Sequence, residues 1–262
     1  MLFSASPRLC GRCRLTPICA VLDVGRTNKK VLFYDETYNI VFQEQKSFSE
    51  VPDADGDLCD DLEGSFSWLT QTLANALHDT RYSLRALNVS TYGATLAHLD
   101  AEGNLVGLPY SYLKPVPEKF ALDYVHSPPD LKLRTASPRL AGLLNDAVQL
   151  YWLQREKPVI FKKIAASLHL PQYFTHRFTG QGASEFTSVG CHTGLWDFHT
   201  NQYAEPVKRH GWDRLLPVPT ASDARAFSPK PEWARGWVKD GAGIAVGLGV
   251  HDSSSALIPY LK

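Results

Sequence analysis

Two short corners, one near each end of the chain, constrain this sequence most. In each, an apolar run breaks into a turn of small and acidic residues. The later corner is Gly247-Leu248-Gly249-Val250-His251-Asp252-Ser253-Ser254-Ser255-Ala256. It follows Ile244-Ala245-Val246, which reads as a buried strand. The turn presents His251 and Asp252 ahead of a run that can start a helix, with Ser253 as its cap. An acid at a strand-to-helix corner beside a cleft is well placed to act as a general base. A turn or N-cap role explains Asp252 equally well at this spacing, so the corner alone does not assign its function.

The earlier corner begins with Ile18-Cys19-Ala20-Val21-Leu22, an apolar run typical of a buried strand. It ends in Asp23-Val24-Gly25-Arg26-Thr27-Asn28-Lys29-Lys30, and Val31-Leu32-Phe33-Tyr34 reads as the returning strand of a hairpin. Backbone N–H groups and lysine charge in such a turn can hold phosphate oxygens. Asp23 at the strand end can hold a magnesium ion, usually through water. The loop lacks a GxxxxGK[ST] pattern, and an ordinary hairpin turn with solvated lysines accounts for it as well.

Between the corners, Ile40 to Ser47 continues the meander as a third strand. The stretch from Val51 to Asp61 carries Asp53, Asp55, Asp57, Asp60 and Asp61. It lacks the glutamate that closes a calcium loop and is expected to be a solvated acidic loop. Phe66, Leu69, Leu73 and Leu77 fall at helical spacing and predict a helix over Leu62 to Leu77. Arg85 to Ser90 reads as a strand leading into Thr91-Tyr92-Gly93-Ala94. Gly93 permits close approach of a ligand to backbone, or marks a kink between strand segments. Lys114 to Pro138 holds Pro115, Pro117, Pro128, Pro129 and Pro138 and is the best loop or lid candidate. Helices are expected over Leu140 to Leu153, Pro158 to Leu168, Pro171 to Phe178 with a stop at Gly180, and Asn201 to Gly211. A strand is expected over Ala242 to Leu248. The pattern argues for a mixed α/β domain.

Charge narrows the partners. Lysine plus arginine equals aspartate plus glutamate, at 27 each, so nothing points to nucleic acid or an acidic membrane. No apolar stretch approaches the roughly 18 residues of a spanning helix. The five cysteines form no paired framework and suit a reducing cytosol. Cys10 and Cys13 make a single CxxC, weak evidence for zinc without further ligands. Cys191 and His192 show no third, orienting residue, so a structural role is favoured over nucleophilic chemistry. Residues 1–17 are taken as a flexible extension; Arg8, Arg12 and Arg14 with no acid nearby also suit a targeting presequence.

Three stretches together resemble the FGGY carbohydrate kinases, most closely their rhamnulokinase branch. Ala20 to Lys30 looks like the family's first phosphate loop. Thr91-Tyr92-Gly93, followed by Leu99-Asp100, Gly103, Val106-Gly107-Leu108-Pro109 and Tyr112, looks like the sugar-contacting segment. His251-Asp252-Ser253-Ser254-Ser255-Ala256 looks like the catalytic segment. The helical block with Leu170-Pro171-Gln172-Tyr173-Phe174 and Arg177-Phe178-Thr179-Gly180 fits the same pattern, and the match covers residues 18–262.

The resemblance implies an α/β, ribonuclease-H-like (actin-like ATPase) fold with a mixed central sheet flanked by helices. It implies ATP-dependent phosphorylation of a ketose or related polyol. Asp252 would be the base, and Gly93, Tyr92, His251 and Ser253 would contact the sugar. Arg26, Thr27, Asn28, Lys29 and Lys30 would face the ATP phosphates, and Asp23 would place Mg2+. Two departures stand out: Arg26 and Asn28 replace the family's common Thr or Ser, and Tyr92 stands where the rhamnulokinase pattern tends to carry tryptophan. Residues 18–262 are expected to be the sugar-binding domain, without the second, ATP-binding domain. The alternative is a catalytically incomplete, truncated kinase serving as a sugar-binding or interaction module. The expected partner is a small-molecule sugar, with homodimerisation allowed and no nucleic acid or membrane, in the cytoplasm.

Overall fold

The computed structural model describes residues 15–78, 81–120, 130–140, 142–224, 226–238, 241 and 243–260. Three strands, β1 (Thr16–Val24), β2 (Asn28–Tyr34) and β3 (Ile40–Ser47), form an antiparallel meander. In β1 every second residue from Ile18 to Val24 is buried, as expected of a strand with one face on a core. A small hairpin of β4 (Val51–Pro52) and β5 (Leu58–Cys59) leads to helix α1 (Leu62–His78) and then β6 (Tyr82–Thr91). β6 runs parallel to β1, so α1 is the crossover a parallel pair requires.

The middle of the chain builds a second layer. β7 (Leu96–Leu99) pairs with β8 (Ala166–His169), β9 (Ser184–Glu185) with β12 (Pro219–Thr220), and β10 (Trp196–Asp197) with β11 (Gln202–Tyr203). The helices here are α2 (Leu131–Arg134), α3 (Asp146–Glu156), α4 (Pro158–Phe161), α5 (Leu170–Thr179), α6 (Phe186–Val189), α7 (Glu205–Arg209) and α8 (Pro231–Trp237). The chain then returns to the main sheet as β13 (Ala245–Val246) and β14 (Val250–His251), both parallel to β6, and enters α9 (Asp252–Leu257). The sheet order is β3-β2-β1-β6-β13, with β14 also on β6.

Two apolar cores result. One joins Ile18, Leu22 and Phe33 of the sheet to Leu69 and Leu73 of α1 and to Phe174 and Phe178 of α5. Phe66 locks these helices together, with ring centroids 6.2 Å from Phe174 and 5.1 Å from Phe178. The other core gathers Leu143, Leu150, Leu153, Trp196, Val207 and Trp212. Helix α5 stops where Gly180 adopts φ 74°, a left-handed cap that glycine tolerates.

Several expectations from the sequence need correction. The Leu140–Leu153 helix begins only at Asp146, because the Asn145 amide ties Leu140 N and Pro138 O into a turn. The Pro158–Leu168 helix is one turn, after which Ala166–His169 pairs with β7; strand pairing outweighs the helix propensity of Ala165-Ala166. At Asn201 the backbone takes φ 53° and turns the β10–β11 hairpin, leaving helix only over Glu205–Arg209.

The acidic loop is solvated only in part: Ala54, Asp55 and Gly56 are exposed, but Lys114 buries its ammonium among Asp53, Asp55 and Asp57. In the Lys114–Pro138 loop, Lys114, Phe120 and Leu131 are buried and Pro115, Pro117 and Leu133 are exposed, while 121–129 fall outside the described residues. Thr16 and Pro17 already belong to β1, and Cys10 and Cys13 lie outside the described residues.

Candidate active site

The register of three parallel strands brings the three singled-out stretches together. Val24 of β1 pairs with Thr91 of β6, and Thr91 pairs with His251 of β14. One row therefore ends all three strands. Immediately beyond it come Gly25, Tyr92-Gly93 and Asp252, at the carboxyl ends where open α/β sheets hold ligands. Val24, Thr91 and His251 are buried on one face, whereas the preceding row of Asp23, Ser90 and Val250 is half-buried on the other.

The β13–β14 break aims the last corner. Gly247 sits over Asn88, whose Oδ1 accepts from the backbone N–H of Gly249 at 3.0 Å. Gly249 has φ 81°, and a Cβ there would meet the Pro171 carbonyl oxygen at 2.6 Å, so both backbone and space demand glycine. His251 rather than Ser253 caps α9, its side chain accepting from Ser254 N. Asp252 occupies the first turn, half-buried, and its Oδ1 accepts from the Ser253 hydroxyl at 3.1 Å. The exposed Ser253 stands at the same rim.

That cap fixes the imidazole. The Ser254 N–H approaches Nδ1 of His251 at 3.4 Å and the Ser254 hydroxyl lies 3.0 Å from the same nitrogen, so Nδ1 is held at the α9 turn and Nε2 points away from it. Burial lowers the His251 pKa and favours the neutral ring, against the opposing charge of Asp252. Nε2 then faces the Cys191 sulfur at 3.3 Å and Asp252 Oδ1 at 3.4 Å. Burial first, and then Asp146 and Asp252, push the Cys191 thiol up to about 12. Gly93 lies against this pair, since a Cβ there would be 3.0 Å from the imidazole and 3.2 Å from the sulfur. His192 is not the thiol's partner; its Nδ1 donates to the Leu144 carbonyl at 2.9 Å.

The first corner divides its cations. Strand alternation places Lys29 and Lys30 on opposite faces. Lys30 Nζ meets Asp23 Oδ2 at 3.1 Å on the half-exposed face. Lys29 is fully buried, donating to Asp60 Oδ1 at 3.1 Å and to the Arg26 carbonyl at 2.8 Å. Arg26 also turns aside, pairing with Glu50 at 2.6 Å and lying over the Tyr112 ring at 4.9 Å. Burial opposes the Arg26 charge, but hydrogen bonds with Tyr112 and Glu50 outweigh it and raise the pKa. The Tyr92 hydroxyl donates to Asp60 Oδ2, and Arg26, Tyr92, Thr95 and Tyr112 line a small cavity beside Asp60. Thr27 and Asn28 remain exposed at the turn.

The sequence model of the FGGY family of carbohydrate kinases, N-terminal domain, matches residues 18–258. This chain belongs to that family. A rhamnulokinase of Halalkalibacterium halodurans is 22% identical over 257 residues, covering 92% of this chain and 51% of that relative. A crystal structure of a carbohydrate kinase from Novosphingobium aromaticivorans superposes with a TM-score of 0.81 at 28% identity, over 94% of this chain and 51% of that one. Plasmodium falciparum glycerol kinase with ADP superposes with a TM-score of 0.76 at 19% identity, over 93% of this chain and 50% of that one. The chain thus spans about half the length of the relatives it matches. The mixed sheet with helices is the actin-like ATPase fold of FGGY kinases.

Other residues of this FGGY corner were not found from the sequence. Asp60 sits on Tyr92 and Lys29, and Thr187 Oγ1 accepts from the His251 N–H at 2.9 Å. Their partners lie 32 and 64 residues away in the chain, beyond any local motif. Among the described residues, no group of three His, Cys, Asp or Glu side chains could hold a metal, and no helix is long and apolar enough to cross a membrane.

Proposed function

We propose that this chain forms the sugar-binding half of an ATP-dependent carbohydrate kinase, with Asp252 as the base that takes the proton from the acceptor hydroxyl. The observation that carries this is the Val24–Thr91–His251 row, which sets the Asp23 turn, Gly93 and Asp252 side by side. Phosphoryl transfer asks for positioning and charge neutralisation more than covalent help, and a half-buried carboxylate at the rim suits proton removal.

The residues fit the roles unequally. Gly93, having no Cβ, lets its backbone lie close against the neutral His251 ring, and the two would line the sugar. Tyr92, tied to Asp60, and Ser253 complete that wall. Thr27 and Asn28 stand exposed at the turn, and Lys30, paired with Asp23 on the half-exposed face, is the cation best placed to meet phosphate, with Lys29 spent on Asp60 and Arg26 on Glu50. Mg2+ held through one carboxylate, waters and phosphates needs only Asp23, whose carboxylate lies at a strand end beside Lys30. When bound, MgATP would supply the phosphoryl group and neutralise its developing charge. The ADP in the glycerol kinase of similar fold supports a nucleotide on this family's scaffold.

Calorimetry with a panel of ketoses and polyols, followed by a coupled assay for ADP release, tests the proposal. Asp252→Asn should keep sugar affinity within about twofold and lose at least about a hundredfold in turnover, the usual worth of a general base. Full turnover in that variant would sink the proposal. Sugar binding without any turnover when both halves are present would favour the alternative, a sugar-binding module.

A further inference from the structure

We propose that Glu185 is a positioning residue for the Asp252 corner, acting through Thr187. Glu185 is fully buried, 67 positions before Asp252, and has no line of contact to solvent. Five donors converge on its carboxylate. Oε1 accepts from Ser188 N at 2.7 Å, from Thr187 Oγ1 at 2.8 Å and from Gln172 Nε2 at 3.4 Å. Oε2 accepts from Thr187 N at 2.7 Å and from Ser222 Oγ at 2.6 Å. Two of the five are backbone N–H groups at the start of α6, which makes Glu185 the cap of that single turn.

The consequence lies at the next bond. A threonine hydroxyl has one proton and two lone pairs. Because Glu185 takes the proton, Thr187 Oγ1 must present a lone pair, and the His251 backbone N–H donates into it at 2.9 Å. His251 is the residue that caps α9, so this bond sets where Asp252 leaves the sheet. Two further links brace the same corner from the same source. Gln172 Nε2, shared with Glu185, donates to the carbonyls of Leu248 at 3.3 Å and Gly249 at 2.9 Å. Ser254 Oγ reaches the Thr187 carbonyl at 3.4 Å. A buried carboxylate is costly unless its lone pairs are used, and here they hold the strand break and the helix start in one network.

An amide of the same shape cannot replace it. Turned either way, glutamine would aim its NH2 at Thr187 N or Ser188 N, both obligate donors. The α6 turn would loosen in either orientation, and with the NH2 in the Oε1 position the Thr187 hydroxyl would also lose its proton acceptor.

The experiment uses the full chain with Thr187→Val, Thr187→Ser and Glu185→Gln, reading backbone amide exchange and the His251 ring 15N signals by NMR. Loss of one hydrogen bond of ordinary worth should speed exchange of the His251 amide about tenfold in Thr187→Val, and Thr187→Ser should restore it to within about twofold. Glu185→Gln should speed the same amide with Thr187 intact and shift the His251 ring signals. Unchanged His251 exchange in a folded Glu185→Gln protein would overturn the proposal. If that variant does not fold, unchanged exchange in Thr187→Val does so instead. The catalytic meaning of the positioning rests on the kinase reading, and there Thr187→Val should lower kcat while leaving sugar affinity near wild type. Absence of sugar binding and turnover in the wild type would count against the kinase reading alone, because the exchange data decide the positioning independently.

Discussion

Nε2 of His251 lies 3.3 Å from the sulfur of Cys191, and the same nitrogen is 3.4 Å from Asp252 Oδ1. One ring nitrogen therefore stands between the thiol and the Asp252 carboxylate. This geometry also makes Cys191 a poor nucleophile despite its histidine neighbour.

The thiol should be inert in the folded chain. With its pKa pushed up to about 12, the thiolate fraction at pH 8 is about one in ten thousand, against about a quarter for a free thiol near 8.5. Alkylation of Cys191 by iodoacetamide at pH 8, followed by mass spectrometry, should run about a thousandfold slower than in urea. The sign for stability follows. Above about pH 8.5 the unfolded thiol releases its proton while the folded one keeps it, so this group's contribution to stability falls as pH rises toward 12. Replacement by alanine should flatten that alkaline fall; equal slopes in both proteins would refute the buried-thiol account.

Lys114 should be the most costly surface-loop lysine to remove. Its ammonium is nearly inaccessible, 2.8 Å from Asp53 Oδ2 and 3.1 Å from Asp55 Oδ2, with Asp57 as third partner. Burial disfavours its charge, but the hydrogen bonds to Asp53, Asp57 and Asp55 outweigh this and raise its pKa. Lys114→Met leaves Asp53 and Asp57 without their cation, while Asp55 keeps Lys157, and should cost about 3 kcal/mol at pH 7, read by urea unfolding. The deficit should shrink in acid as Asp55, held below its usual carboxylate range by hydrogen bonds from Lys157 and then Lys114, takes up its proton. A deficit constant with pH would mean that lost packing against Tyr110 and Trp152, not charge, explains it.

What could be read from the sequence was local. The β1–β2–β3 meander, α1 and the Pro171-to-Gly180 helix follow from alternation, helical spacing and caps within a few residues. The Asp23, Gly93 and Asp252 corners were also visible, because each breaks an apolar run. The partners that orient them were not. Thr187 and Cys191 reach His251 across 64 and 60 residues, and Lys114 reaches Asp53 across 61. No periodicity encodes such pairs; only the closed fold does. The same limit misassigned β8, whose strand state comes from pairing with Leu96–Leu99 and not from its own residues.

Two glycines should respond in opposite directions to alanine. Gly249 combines φ 81° with a carbonyl 2.6 Å from where a Cβ would stand. Gly249→Ala should cost about 1–3 kcal/mol and displace the Asp252 corner. Gly236 lies in helix α8 with nothing within 4 Å of a Cβ. Gly236→Ala should stabilise by about 0.5–1 kcal/mol through helix propensity. Thermal melts of the two variants settle the comparison, and a neutral Gly249→Ala would show that the strand break tolerates a side chain.

Adjacent lysines of the first corner should separate structure from ligand binding. Lys29 is fully buried and bound to Asp60, which in turn holds the Tyr92 hydroxyl. Lys29→Met strands that carboxylate and should cost about 3 kcal/mol of stability. The Lys30–Asp23 pair is about one-third exposed, at 36% and 29% of the two side chains, and an exposed pair is worth at most about 1 kcal/mol. Lys30→Met should therefore melt within about 2–4 °C of wild type, the range for about 1 kcal/mol in a chain this long. If Lys30 is the corner's phosphate-facing cation, the same variant should weaken nucleotide affinity in calorimetry, with a salt dependence shallower than that of wild type. Normal nucleotide affinity in Lys30→Met, or normal stability in Lys29→Met, would reverse the assignment that strand alternation makes here.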